Sequence, residues 1–189
     1  MRYFLPLALC VAVGVTAGPP AGYEIRPMTW KGAIEKSGPE MSFDGTIQDV
    51  TAQIRSIKPG FSWANLTNEE GGEPVSKRGY KGQRIRNVGG RANTCPIQSG
   101  ADNLRDMKGN CQVDAGPSVC SRLSCVQHAA VWLCNDDSKP IAPACAGLAD
   151  YVEDIKNNYR QTYGSQNTAQ GQERNTDKWN VVVGMDLTC

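Results

Sequence analysis

The stretch VCSRLSCVQHAAVWLC at residues 119–134 contains two runs typical of β-strands. Val119–Val126 and residues 129–134 are rich in β-branched, aromatic and other apolar residues, and only Gln127 and His128 separate them. A two-residue connection between such runs is the pattern of a tight β-hairpin. We therefore predict an antiparallel hairpin at the centre of the domain.

Two helices and a further strand surround the predicted hairpin. A first helix is marked by Ala101, Leu104 and Met107, and it should end near Gly109. A second helix has its apolar face at Leu148, Tyr151, Val152 and Ile155. The last strand is predicted at Trp179–Met185. The polar residues 164–177 between them predict an exposed loop.

The order helix-strand-strand-helix-strand predicts a small α+β sandwich with a mostly antiparallel sheet. The helices should cover one face of that sheet. The residues expected to fill its core are Trp132, Leu133, Val131, Trp179, Val181 and Val183.

Seven of the eight cysteines lie in the C-terminal part of the chain: Cys95, Cys111, Cys120, Cys125, Cys134, Cys145 and Cys189. In a small exported domain they predict three disulfides and one leftover cysteine, which could pair with a second chain, stay free or reflect a lost partner. Cys120 and Cys125 are an odd number apart in one strand, so they should point to opposite faces and bond different partners. Cys189 should tie the last strand to the domain. No C-x-x-C pair and a single histidine make a metal site unexpected.

The N-terminal part of the chain carries processing signals. Residues 3–15 are apolar and precede Ala17, which predicts a secretory signal peptide over residues 1–17. The pair Lys77-Arg78 lies in a Gly- and Glu-rich linker at residues 65–90, a composition that suits a protease of the kexin type. We expect a propeptide at residues 18–78 and a mature cysteine-rich domain at residues 79–189. Asn65 begins the N-glycosylation sequon, and no membrane span is expected.

The predicted propeptide contains an amphipathic helix. Its apolar residues recur at helical spacing in Ile47, Val50, Ile54 and Ile57, and Pro59-Gly60 ends the run. Thr46 and Asp49 can form an N-terminal capping box. Our hypothesis is that this helix covers apolar surface of the mature domain until cleavage. The alternative is an autonomous helix hairpin with residues 23–30.

The net charge of the chain does not point to any particular class of binding partner. The formal net charge is +1, which gives no reason to expect nucleic acid or a membrane surface as partner. A local basic run follows the dibasic pair and consists of Lys81, Arg84, Arg86 and Arg91. It is interpreted as a solvated arm, with an anionic surface as the alternative.

Residues suited to catalysis are few. His128 is the sole histidine and falls at the predicted hairpin turn, and no G-x-S-x-G motif is present. Neighbouring acids at Asp136-Asp137 and Glu153-Asp154 do not share one face of a strand or helix. A ribonuclease that uses His128, Glu153 and Arg122 is one hypothesis, but the spacing does not bring them together. We therefore expect no enzyme and no cofactor.

Several motifs together resemble small secreted cysteine-rich proteins of filamentous fungi. These motifs are C-x-R-x-S-C at residues 120–125, A-x-W-x-C-N-D at residues 130–136, W-N-V-x-V at residues 179–183, and a pro-region similar to residues 45–59. The resemblance implies processing by a kexin-type protease and a loose topological likeness to fungal killer toxins. It also implies a cysteine where this chain has Tyr159, which leaves the pairing of Cys134 and Cys145 open.

The resemblance and the processing signals imply a secreted, non-enzymatic, effector-like protein. It would act outside the cell or in a host by binding an extracellular or host protein or surface. Two alternatives stay open. One is a toxin-like antagonist guarded by its propeptide, and the other is a cryptic ribonuclease or hydrolase centred on His128.

Overall fold

The computed structural model describes residues 22–66, 81–85, 88 and 90–189. Within this part the chain forms a mixed α+β fold with mostly antiparallel sheets, as predicted. The helices are α1 (Ile47–Ile57), α2 (Thr94–Asp106) and α3 (Cys145–Asn158), and a 3₁₀ turn spans Trp63–Asn65. The strands are β1 (Glu24–Ile25), β2 (Thr29–Ala33), β3 (Glu40–Asp44), β4 (Lys81–Ile85), β5 (Ala92–Asn93), β6 (Asn110–Gln112), β7 (Val119–Val126), β8 (Ala129–Asn135), β9 (Gln161–Tyr163), β10 (Gln166–Ala169), β11 (Gly171–Asn175) and β12 (Trp179–Met185).

The main sheet has six strands in the order β1-β7-β8-β12-β11-β4. β7 and β8 form the predicted antiparallel hairpin, and β12 pairs antiparallel with β8 from Trp179↔Asn135 to Met185↔Ala129. Only the short β1 joins this sheet in a parallel direction, beside β7. Two three-stranded sheets, β5-β10-β9 and β3-β2-β6, flank it.

The core lies between α2, α3 and one face of the main sheet. Both predicted helices form, and Ala101, Leu104, Leu148, Val152 and Ile155 are buried. Five predicted core residues join them in this cluster: Val131, Leu133, Trp179, Val181 and Val183. Trp132 is also buried but lies in a second cluster on the opposite face of the sheet. Period-two alternation along β8 explains this division.

The prediction of an exposed loop over residues 164–177 is wrong. β10 and β11 occupy this stretch, and Glu173 at the centre of β11 is fully buried. Its carboxylate pairs with Arg84 of β4 at 3.3 Å between Oε1 and Nε. Asn175 is likewise buried and donates a hydrogen bond of 2.6 Å to the Tyr151 hydroxyl. Polar side chains with such partners can be buried, so the polarity of the sequence did not reveal the strands.

Part of the predicted linker is also structured. β4 forms the edge of the main sheet, and Arg84 contacts Asp154 at 3.3 Å in addition to Glu173. Arg91 donates to the carbonyl oxygens of Tyr159 and Thr168 at 3.0 and 2.8 Å. These two members of the basic run are therefore held by the fold and do not form a solvated arm. Arg86 and the dibasic pair lie outside the described residues.

Three disulfides link six of the seven C-terminal cysteines: Cys111 to Cys145, Cys120 to Cys134, and Cys125 to Cys189. The predicted number of bridges and the anchoring of the C-terminus by Cys189 are confirmed. Cys95 has a free, exposed thiol.

The reason given for separating Cys120 from Cys125 is wrong, although they do bond different partners. The register between β7 and β8 shifts between Arg122 and Ser124, which makes Leu123 the extra residue of a β-bulge. Beyond the extra residue, the alternation of side chains between the two faces of the sheet is shifted by one. Cys120 and Cys125 consequently lie on the same face, beside Trp132.

The hairpin turn contains a strained pair of residues. Gln127 and His128 both have positive φ, 46° and 63°, as a two-residue type I′ turn requires. Residues other than Gly, Asn and Asp are disfavoured in this region because Cβ crowds the backbone. Both side chains are exposed, so a substitution here affects little besides the turn.

We predict that the double substitution Gln127→Asn/His128→Gly stabilises the protein by about 1 kcal/mol, because it relieves the left-handed strain at both positions. Urea unfolding under non-reducing conditions measures the free energy of unfolding. His128→Ala is the matched control and should give no stabilisation, since Ala keeps a Cβ. A double variant no more stable than the wild type would contradict this account of the turn.

Candidate binding cleft

A cleft of about 560 Å³ opens between the N-terminal segment (residues 22–66) and the main sheet. Both parts of the chain line it. The residues are Ile25, Arg26, Pro27, Met28, Gly45, Thr46, Asp49, Arg122, Trp132, Asp186 and Thr188. The lining combines an apolar surface with two arginines and two aspartates, a composition found in ligand sites.

Backbone pairing places the first wall of the cleft. The Arg26 amide donates to the Cys120 carbonyl at 3.0 Å, which continues the parallel pairing of β1 with β7. One residue further, the Ser121 hydroxyl donates to the Pro27 carbonyl at 3.2 Å. Residues 25–28 therefore run along the edge of β7.

The start of α1 forms a second wall, and the predicted capping box at this end of the helix is confirmed. The Asp49 amide donates to Thr46 Oγ1 at 3.3 Å, and the Thr46 amide donates to Asp49 Oδ2 at 2.9 Å. Gly45 precedes the cap with φ of 123°, a conformation that L side chains rarely adopt. The turn at Gly45 thus directs the capping residues toward the cleft.

The third wall joins the central strand to the C-terminus. Arg122 Nη1 donates to Asp186 Oδ2 at 3.0 Å and to Thr188 Oγ1 at 2.9 Å. Asp186 is almost completely buried, whereas about a third of the Arg122 side chain is exposed. The Cys125–Cys189 disulfide fixes the chain immediately after Thr188. This wall is therefore held by an ion pair and a covalent link.

Both aspartates in the cleft are stabilised in their ionised form. Burial raises the pKa of Asp186, but hydrogen bonds from Thr188 and the charge of Arg122 outweigh it, and the net shift is downward. The pKa of Asp49 is lowered mainly by hydrogen bonds from Thr46, with a contribution from Arg122. The cleft is thus lined by fixed charges of both signs at neutral pH.

The residues proposed for a ribonuclease are not brought together. Arg122 lies in the cleft, on the same side of the sheet as Trp132. Glu153 lies on α3 in the helical layer, where its carboxylate is 3.0 Å from Arg105 and 3.1 Å from Gln98. His128 is exposed at the tip of the hairpin.

The acidic pair after β8 stabilises local structure. Asp136 accepts hydrogen bonds from the Tyr23 hydroxyl at 2.7 Å and from Asn180 at 2.9 Å. The Asp137 amide donates to Asn135 Oδ1 at 2.8 Å, which forms an Asx turn. Asp136 therefore links the N-terminal segment to β12.

Other predicted sites have simple positions. Asn65 is exposed at the end of the 3₁₀ turn, and Ala17, Lys77 and Arg78 lie outside the described residues. In residues 22–66, 81–85, 88 and 90–189, no group of His, Cys, Asp or Glu side chains is arranged to hold a metal ion. Among those same residues there is no helix with the length and apolar character of a membrane span.

Sequence reasoning found only part of the cleft. Arg122 belongs to the ribonuclease hypothesis, and Asp49 belongs to the predicted capping box. Arg26 and Asp186 were missed, because nothing in a single sequence shows that a segment near the N-terminus meets the last strand. The capping motif was the one local signal that pointed to this wall.

Comparison with known proteins finds no matching family model, curated protein or solved structure. The resemblance to secreted fungal proteins therefore stays a prediction.

We predict that Asp186→Asn lowers the free energy of unfolding at pH 7 by about 1.5–3 kcal/mol, the size of a hydrogen bond to a charged group. Because the pKa of Asp186 is lower in the folded state, its stabilising effect is present above the unfolded pKa, near about 4, and is lost as the pH falls through the folded value. The difference from the wild type should therefore shrink at acid pH.

Denaturant unfolding at neutral and acid pH measures this difference. Asp106→Asn, at an exposed position at the end of α2, is the control and should change stability by less than about 0.5 kcal/mol at either pH. A deficit of Asp186→Asn that is as large in acid as at pH 7 would contradict the proposed role of the carboxylate charge.

Proposed function

We propose that this chain is a secreted, non-enzymatic binding protein whose ligand occupies the cleft. The observation that carries the proposal is the cleft itself, with the Arg122–Asp186 ion pair on one side and the capped start of α1 on the other. Rigid walls around an amphipathic cavity lower the entropic cost of binding. The predicted action outside the cell or in a host, by binding a surface, is consistent with this site.

Export and processing form part of the proposal. Three disulfides fit an oxidising compartment, and the signal peptide ending at Ala17 would direct the chain there. A kexin-like protease would then cut after Lys77-Arg78. Intact mass of the secreted protein, with thiol labelling, identifies both cuts and the single free cysteine.

A toxin-like antagonist guarded by its N-terminal segment is the second candidate. The observation in its favour is that α1 and β2 pack against the cysteine-rich part, so they cover apolar surface there. This candidate requires the segment to leave after cleavage. An uncleavable Lys77→Ala/Arg78→Ala protein would then be inactive, whereas a binding protein would keep its activity.

We predict saturable binding of the purified protein, labelled with a fluorescent maleimide at Cys95, to plant cell-wall fragments or to intact yeast cells. Cys95 is exposed at the start of α2 and does not line the cleft. Arg122→Ala should weaken this binding about tenfold, because it removes a charge and the hydrogen bonds that orient Asp186. Titration followed by fluorescence of the pelleted material measures the affinity.

The matched control is Arg160→Ala, which removes an exposed arginine that contacts Asn167 away from the cleft. Its affinity should equal that of the wild type. Either an absence of saturable binding to both materials, or equal loss in the two variants, would refute the proposal that the cleft is the binding site.

We further predict that His128→Ala leaves biological activity unchanged, within about twofold. A general base needs a partner that positions it, and His128 is at an exposed turn. The measurement compares the two proteins for tissue response and for cleavage of single-stranded RNA. Loss of either activity in the variant, with unchanged stability, would restore the hydrolase hypothesis.

A further inference from the structure

We infer that residues 22–66 are a permanent part of the folded protein, so that a cut after Arg78 yields two chains that stay associated. The segment would not dissociate after cleavage, and it would not act as a temporary inhibitor of the cysteine-rich part. The inference rests on contacts of the segment itself, and it holds for a cut in residues 67–80 by any protease.

The segment contributes a large apolar surface to the core. Trp30 is fully buried, its indole nitrogen donates to the Lys108 carbonyl at 2.6 Å, and its ring lies so close to Gly109 that a Cβ there would overlap it. α1 belongs to the same cluster as Leu104 and Leu123. The buried apolar residues of the segment are Met28, Trp30, Ile34, Ile47, Val50, Ile54, Phe61 and Trp63. Trp30, Phe61 and Trp63 also pack on one another within the segment, so dissociation would expose to water the apolar surfaces that face the rest of the core.

Backbone hydrogen bonding ties the segment to two sheets. β2 is the middle strand of its sheet and pairs with β6 through Trp30↔Cys111 and its neighbours. β1 pairs with β7 in the main sheet. Loss of the segment would remove β2, the strand that pairs with β6, and β1, the strand that pairs with the outer edge of β7. The backbone groups along both edges would then be unpaired, which is unfavourable.

Polar contacts continue this interface beyond the strands. The Tyr23 hydroxyl donates to Asp136 at 2.7 Å, and the Gln48 amide donates to the Ser124 hydroxyl at 3.1 Å. Ser124 belongs to the bulge of β7, so α1 contacts the central hairpin at its irregular point. These contacts would favour one orientation of the segment.

The chain that follows the predicted cut is held as well. β4 pairs antiparallel with β11, and Arg84 contacts both the buried Glu173 and Asp154. Residues on the two sides of the cut are thus anchored in different places, and cleavage between them breaks no contact among the described residues. The only cysteine before Lys77 is Cys10, which lies in the predicted signal peptide, so the two chains would be joined without a disulfide.

This inference changes what the mature protein is. A product limited to residues 79–189 would lack two of the three walls of the cleft, because Ile25, Arg26, Met28 and Asp49 come from the segment. A two-chain product keeps the cleft complete. Retention of the segment can nevertheless be tested without any ligand, so its failure is distinguishable from failure of the proposed binding function.

The test uses the purified full-length secreted protein with a recognition sequence for a site-specific protease inserted between Arg78 and Gly79. After complete cutting, the sample is analysed by size-exclusion chromatography, and the peak by non-reducing denaturing gel and mass spectrometry. We expect both fragments in one peak at the volume of the uncut protein. A peak that contains the C-terminal fragment alone would overturn the inference and support the guarded toxin.

Variants connect the result to the interface. Trp30→Ala should increase dissociation of the cut protein at least about tenfold, since it removes the central buried side chain. Lys36→Ala, at an exposed position in the turn after β2, should leave retention unchanged. Tyr23→Phe removes the hydrogen bond to Asp136 and the longer one, 3.4 Å, from Asn180. It should increase dissociation by about fivefold, which keeps the test informative if Trp30→Ala does not fold. Equal retention in Tyr23→Phe, Trp30→Ala and the wild type would contradict the proposed interface.

Discussion

The β-bulge at Leu123 fixes which side chains of β7 face the helices and which face the disulfides on the other side of the sheet. One extra residue in β7 lets Leu123 and Ser124 both face the helical layer, opposite Val131. It also returns Cys125 to the face that carries Cys120. Cys120 can then form a disulfide with Cys134 across the hairpin, and Cys125 can form one with Cys189 at the C-terminus. A regular strand would have sent one of the two cysteines into the helical core.

The same strand organises the cleft. Arg122 immediately precedes the bulge and forms an ion pair with Asp186. The edge of β7 pairs with β1, and Ser124 in the bulge accepts a hydrogen bond from Gln48 of α1. The candidate site is therefore a junction of three distant parts of the chain. Its geometry depends on the N-terminal segment as much as on the disulfides, which is why retention of that segment and ligand binding are related questions.

Much of the fold followed from local pattern. The hairpin, both C-terminal helices, the last strand, the capping box and three disulfides were predicted from spacing and composition. The strands β10 and β11 were missed, because Gln172, Glu173 and Asn175 are polar yet buried. Their burial depends on partners such as Arg84 and Tyr151, which lie far away in sequence. Local hydrophobicity carries no information about such partners.

Residue patterns alone were enough to predict the class of fold, the elements with clear periodicity, and the number of disulfides that the chain could form. These features depend on short-range patterns, since a helix or strand must bury one face and a small domain gains stability from covalent links. Only the packing of the whole chain fixes which cysteines pair, which face of the sheet each side chain occupies, and whether the predicted propeptide contributes to the core. A single inserted residue moves every following side chain of a strand to the opposite face of the sheet. Contacts between distant segments form only when the whole chain is packed.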